Sequence, residues 1–300
     1  MSHKKTKALG LIALSLGVCL ALPARAVSPV TLTHVHGLSY SADGKQIFVP
    51  SHHGMATYSG GKWGKAAGPE NDYMGFSATK QFFYSSGHPA PGSGLANPFG
   101  LIKSGDGGRT WRKLGLEGEA DFHQLATSYG TNAVYVVTHA PNSRMSKPGI
   151  HATVNDGFSW KRAEGNNLEG PLLSLAVHPS NNQIVAAGTK TGLFLSTDGG
   201  DNFKRLSGGE QVLSVFFDLD EKKLWFSSYE NKPALTRLDW SDGKKTAINL
   251  PPLTEDAVAY IAQNPVNRNE YVIATFERNV YLSKDLGKKW AQIANRGQTQ

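Results

Sequence analysis

Ser104-Gly105-Asp106-Gly107-Gly108-Arg109-Thr110-Trp111 returns as Ser196-Thr197-Asp198-Gly199-Gly200-Asp201-Asn202-Phe203 and again as Ser283-Lys284-Asp285-Leu286-Gly287-Lys288-Lys289-Trp290. A fourth copy, Thr153-Val154-Asn155-Asp156-Gly157-Phe158-Ser159-Trp160, carries Asn in place of Asp. Starts at 104, 153, 196 and 283 are 49, 43 and 87 residues apart, and the last interval is close to two periods. Degenerate copies stand where such a period requires them, at Tyr58-Ser59-Gly60-Gly61-Lys62-Trp63 and Leu238-Asp239-Trp240-Ser241-Asp242-Gly243. A fixed period of this length decides the fold before any single motif does. Six units result.

The residue types explain the pattern S/T-x-D/N-x-G-x-x-W/F. Glycine supplies a backbone with positive φ, and Asp or Asn accepts hydrogen bonds from nearby amides, so the segment closes a hairpin. Trp or Phe then packs between neighbouring sheets. Ser104, Asp106, Gly108 and Trp111 therefore read as structural. So do Asn155, Gly157 and Trp160, then Ser196, Asp198, Gly200 and Phe203, and finally Ser283, Asp285, Gly287 and Trp290. Around each turn lie four short strand-like runs, such as Tyr73–Ala78, Phe82–Ser86, Phe99–Ser104 and Trp111–Leu114 in the second unit. The fourth unit repeats them at Leu172–Val177, Ile184–Ala187, Leu193–Ser196 and Phe203–Leu206. Strands at this interval without helical periodicity predict an all-β chain, a single β-propeller of six four-stranded blades over residues 27–300. Two modes of closure are open: pairing of Val27–Thr31 with the last blade, or six self-contained blades.

Residues 1–26 read differently. Lys4, Lys5 and Lys7 precede an apolar run from Ala8 to Leu22, and Ala24-Arg25-Ala26 follows. This is the tripartite pattern of a secretory signal peptide, cleaved after Ala26, and the run is shorter than the ~20 residues of a membrane span. Its removal takes four basic residues and leaves 27 Lys and Arg against 24 Asp and Glu, so the net charge falls from +7 to +3. No basic run remains to bind nucleic acid. The only cysteine, Cys19, leaves with the signal, which suits an oxidising compartment. The expectation is a monomer, exported to the periplasm or secreted, with no stable membrane span.

The repeated turns resemble the Asp box, or BNR repeat, of the sialidase and sortilin-like propellers and of photosystem II assembly-factor propellers. A group of small exported bacterial Asp-box proteins, often labelled glycosyl hydrolases, is similar over essentially the whole mature chain. That resemblance rests on His34-Val35-His36-Gly37-Leu38, His52-His53-Gly54, Asp72-Tyr73-Met74-Gly75-Phe76 and Ser86-Gly87-His88-Pro89. It implies fold far more than activity, since propellers host many unrelated functions. The Phe-Arg-Ile-Pro segment of sialidases is absent from the sequence. Arg109, Arg112, Arg162 and Arg205 fall at the repeat turns, with only Arg144 and Arg278 expected near the other rim. A carboxylate-binding arginine triad is therefore not expected.

Aligned first strands place His36, Met74 and His123 at one level in units one to three, and Leu173, Leu213 and Ala259 there in units four to six. Second strands end at His53, His88, His139, Thr189, Glu230 and Glu277. Seven of the nine mature histidines thus map to one face, opposite the repeat turns, with His151 and His178 left as structural. Imidazoles suit zinc, copper, nickel and iron, and a thioether favours reduced copper. The candidate metal set is His34, His36, His53, Met74, His88, His123 and His139, with copper favoured over zinc and no organic cofactor. His34 and His36 share a side of their strand, and of His52 and His53 only one would face the channel. The reading is a non-catalytic binding protein whose His-rich face takes a metal ion, a small ligand or a protein. The alternatives are a glycosidase acting on an extracellular or periplasmic glycan, with Glu230 and Glu277 as its carboxylates, and an assembly or protein-interaction module.

Overall fold

Short β-branched and aromatic runs, many of them stopped by a glycine or asparagine turn, pair into six antiparallel sheets whose strands follow chain order. The computed structural model describes Met1 and residues 30–299. The export signal and its cleavage point lie outside the described residues. Within them there is no helix, and so none that could cross a membrane. Five sheets have four strands and the sixth has five. The fold is the expected six-bladed propeller.

Strand limits sit within two residues of the expected ones, as in Asp72–Ala78, Phe83–His88, Leu101–Ser104 and Arg112–Gly115 of blade two. The repeated turns join third to fourth strands and share one hydrogen-bond pattern. In each, the Ser or Thr hydroxyl accepts the amide of the glycine four residues on, at 2.8–2.9 Å. The same hydroxyl donates to the Asp or Asn side chain, which accepts a second amide four residues beyond itself. Two successive residues then take positive φ, such as Gly107 at 74° and Gly108 at 86°. The positive φ favours glycine at 108, and a Cβ there would also stand 1.9 Å from the Met55 methyl of blade one, which would have to move. Hydrogen bonds from Thr110 hold the Asp106 carboxyl down to about 2, and those from Asn202 do the same for Asp198.

Six apolar clusters fill the six seams between blades. Phe48 and Met55 of blade one meet Tyr73, Phe83 and Trp111 of blade two, whereas Trp160 closes the next seam and Phe203 the one after. Leu224 and Phe226 meet Leu193 at the fourth seam, and Trp290 packs at the fifth. The sixth seam joins Val272 and Val280 of the last blade to Val49 and Trp63 of the first.

Closure has features of both expected modes: every sheet is built from consecutive strands, and Thr31 also pairs with the last blade. Gln298–Thr299 forms a fifth strand on blade six, and Thr31 bridges to Gln298. Leu32 N donates to Gly297 O at 2.8 Å, and the Trp63 indole donates to Ile293 O at 2.7 Å. Ser196→Ala would leave the buried Gly200 amide without its acceptor. A loss of about 1–3 kcal/mol is expected, read from the urea midpoint; a change within error would mean the hydroxyl does not hold the turn.

Candidate metal centre at the channel mouth

First strands line the axis, and their equivalent residues meet there. Bulges between Tyr73 and Phe76, Leu172 and Ser174, Val212 and Ser214, and Val258 and Tyr260 leave Met74, Leu173, Leu213 and Ala259 outside the ladder register. A bulge re-aims a side chain, and these four line an axial cavity of about 420 Å³ together with His36 and His123. Gly75 lets blades two and three approach at this level, since a Cβ there would lie 1.9 Å from Phe122 O. Two residues further along each strand stand Leu38, Phe76, Leu125, Leu175, Val215 and Ile261, which line the same cavity and are 6–9% exposed. The mouth is therefore His/Met on one half and aliphatic on the other, above a ring that is apolar throughout.

At that mouth His34, His36 and His52 bring one ring nitrogen each within 4.8 Å of the others. Their ring centroids are 5.7 Å (34 to 36), 4.3 Å (34 to 52) and 4.7 Å (36 to 52) apart. His34 and His36 arrive on the segment before the first strand, which is held by His36 N donating to Pro50 O at 3.1 Å. Nδ1 of His52 lies 2.7 Å from Asp72 Oδ2. An ionised carboxylate can only accept, so His52 donates there and, as a neutral ring, keeps its Nε2 lone pair. This is how an outer carboxylate orients a ligating imidazole. Nε2 of His36 is buried without a partner, 3.8 Å from Asp72 Oδ1, which is likewise buried and unpartnered. Buried polar atoms ordinarily have partners, so this pair marks a place where a water molecule or an ion would be held.

Burial, with His52 and His34 adjacent, pulls the His36 pKa from 6.5 to about 4, against the opposing pull of Asp72 and with a further small push from His123. His36 is thus neutral at neutral pH, the state a metal ligand needs.

The other expected residues divide. His123 Nε2 lies 2.7 Å from Asp121 Oδ2, and His88 Nε2 lies 3.2 Å from the same oxygen while its Nδ1 meets Asn97 at 2.6 Å. Both nitrogens of His88 are engaged, so this second group is a hydrogen-bonded network beside the trio. His139 is exposed and is not part of the trio. His52, not His53, joins the cluster: Ser51 pairs with Gly54, so the two histidines form the turn itself, where strand alternation does not apply. His53 is exposed. Asp72 and Asp121 are partners that the histidine count alone did not single out, although each stands two residues before a cavity-lining position in its strand. Glu230 and Glu277 are exposed and neither lines the cavity. Arg144, expected near this rim, donates to the carbonyl of Gly157 in a repeat turn, and Arg278 donates to Thr33 O at 3.3 Å.

No family model matches the chain, and no curated protein matches it. Solved structures do. The chain is similar to the GH74 enzyme of Niastella koreensis (TM-score 0.61, 16% identity, 89% of this chain and 46% of that one). It is similar to the GH74 xyloglucanase of Xanthomonas campestris (TM-score 0.57, 14% identity, 90% and 46%). It is also similar to YCF48 bound to a D1 peptide (TM-score 0.51, 16% identity, 91% and 85%). The likeness is one of fold. The chain spans about half the length of the two GH74 proteins, and the neighbours include both an enzyme and a peptide-bound protein.

The depressed His36 pKa has a consequence for stability. Between 6.5 and about 4 the unfolded chain binds a proton at His36 that the folded chain does not, so stability falls as pH falls through that window. The facing groups are His34, His52, His123 and Asp72. Metal-free protein is expected to show a falling urea midpoint from pH 6.5 to 4, with a shallower slope in His36→Gln; equal slopes would deny the buried neutral state.

Proposed function

We propose that this chain is an exported, non-catalytic binding propeller that holds one divalent transition-metal ion at His34, His36 and His52, with Asp72 orienting His52. The observation that carries this is the buried, unpartnered Nε2 of His36 within a three-imidazole cluster. Three neutral imidazoles suit copper(II), nickel and zinc, and copper(II) binds most tightly to such donors. Three protein ligands also leave a coordination position open. Met74 lies on the cavity wall beside His36 and would favour copper further when it is reduced. The hydrogen-bond pattern of the four turns supports the Asp-box assignment, and the basic, apolar and small-residue regions of residues 1–26 support export.

Purified, untagged mature protein should carry about one equivalent of added copper or zinc, and His36→Gln/His52→Gln should lose it while keeping its fold. His53→Ala and His139→Ala should bind as the wild type does. Metal uptake unchanged in the double variant would place the ion elsewhere. Absence of uptake in the wild type would end the metal reading. N-terminal sequencing of exported protein should begin at Val27, and intact chain accumulating in the cytoplasm would contradict export.

A further inference from the structure

The channel wall is mixed: Ser39, Gln124, Ser174, Ser214 and Gln263 line it together with apolar side chains. Below the His/Met half of the mouth, all six blades contribute an aliphatic or aromatic side chain to one ring, each with a few per cent of its surface left uncovered. The cavity volume of about 420 Å³ falls among small-ligand pockets, and a wall of apolar and polar groups suits a ligand with both characters. Phe276, 58% exposed, belongs to the same wall and extends the apolar surface. His36 belongs both to the imidazole cluster and to the cavity wall, so the two features adjoin at that residue.

We infer that the channel takes a small amphiphilic carboxylic acid, its carboxylate on the open position of the metal and its hydrocarbon body along the ring of Leu38, Phe76, Leu125, Leu175, Val215 and Ile261. The inference rests on the metal reading above. A divalent ion held by three neutral imidazoles beside one carboxylate keeps net positive charge and takes an anionic donor. Without the ion, the carboxylates of Asp72 and Asp121 beside the rim histidines oppose a further carboxylate. Binding of the acid is therefore metal-dependent, whereas its strength is set by chain length.

Titration calorimetry of the mature protein with sodium butanoate, hexanoate and octanoate tests this, on zinc-loaded and metal-free samples whose metal content is measured independently. The zinc-loaded protein should gain up to roughly four-fold in affinity per methylene, the equivalent of ~0.8 kcal/mol per buried CH2. Metal-free protein should bind octanoate at least ten-fold more weakly. Leu173→Phe, which fills the wall from blade four on the far side of the channel from blade one, should keep its zinc and lose the preference for the longer acid. Zinc-loaded protein that binds butanoate and octanoate alike would overturn the inference and leave the metal reading standing. Octanoate binding that ignores the metal would overturn the carboxylate–metal contact. A protein shown to take up no zinc would remove both readings, and the metal measurement separates that outcome from the other two.

Discussion

A blade of four strands has two apolar faces and can bury neither by itself. Every blade here depends on both neighbours, so the sixth seam, where the last blade meets the first, decides whether the other five are stable. That seam has the same kind of aliphatic and aromatic filling as the rest, and it also receives the bridge from Thr31 and Leu32 to residues 297 and 298. The repeat turns act at the opposite level of organisation. Their hydroxyl–amide bonds fix four of the third-to-fourth hairpins locally, and an aromatic residue from the turn or its degenerate counterpart then reaches the seam in all six units.

Much of this was legible in the sequence because the repeat turn is written in residue types with narrow physical roles. Ser196, Asp198 and Gly200 each do one thing, and the spacing between copies counts the blades. The rim was legible by alignment: His36, Met74, His123, Leu173, Leu213 and Ala259 all line the channel as their shared strand position implies. That reading omitted the bulges which turn four of these side chains to the axis, because a bulge inserts a residue without changing composition. It also chose His53 over His52. Alternation assigns sides only within a strand, and those two residues form the hairpin turn between Ser51 and Gly54.

Electrostatics separates the two histidine groups more sharply than position does. Asp72 and Asp121 are equivalent in the fold, yet Asp121 sits between two imidazoles and ties both, whereas Asp72 ties His52 and leaves His36 without a partner. Carboxylate placement thus helps engage both nitrogens of His88, whereas in the trio it leaves His36 Nε2 unpartnered. Counting histidines could not distinguish these outcomes.

The three clustered imidazoles all belong to blade one, and Asp72 belongs to blade two. The trio is therefore assembled by a single hairpin and the segment leading into it. If the ring parted at the sixth seam, the hairpin turn carrying His52 and the contact with Asp72 across the first seam would stay behind. The leading segment, with His34 and His36, runs directly on from the bridge to residues 297 and 298, so its anchorage is the part most exposed to such an opening. The channel mouth is in this sense hinged on one side only: its aliphatic half is carried by blades that interlock with one another, and its imidazole half hangs partly from the strap that fastens the ring.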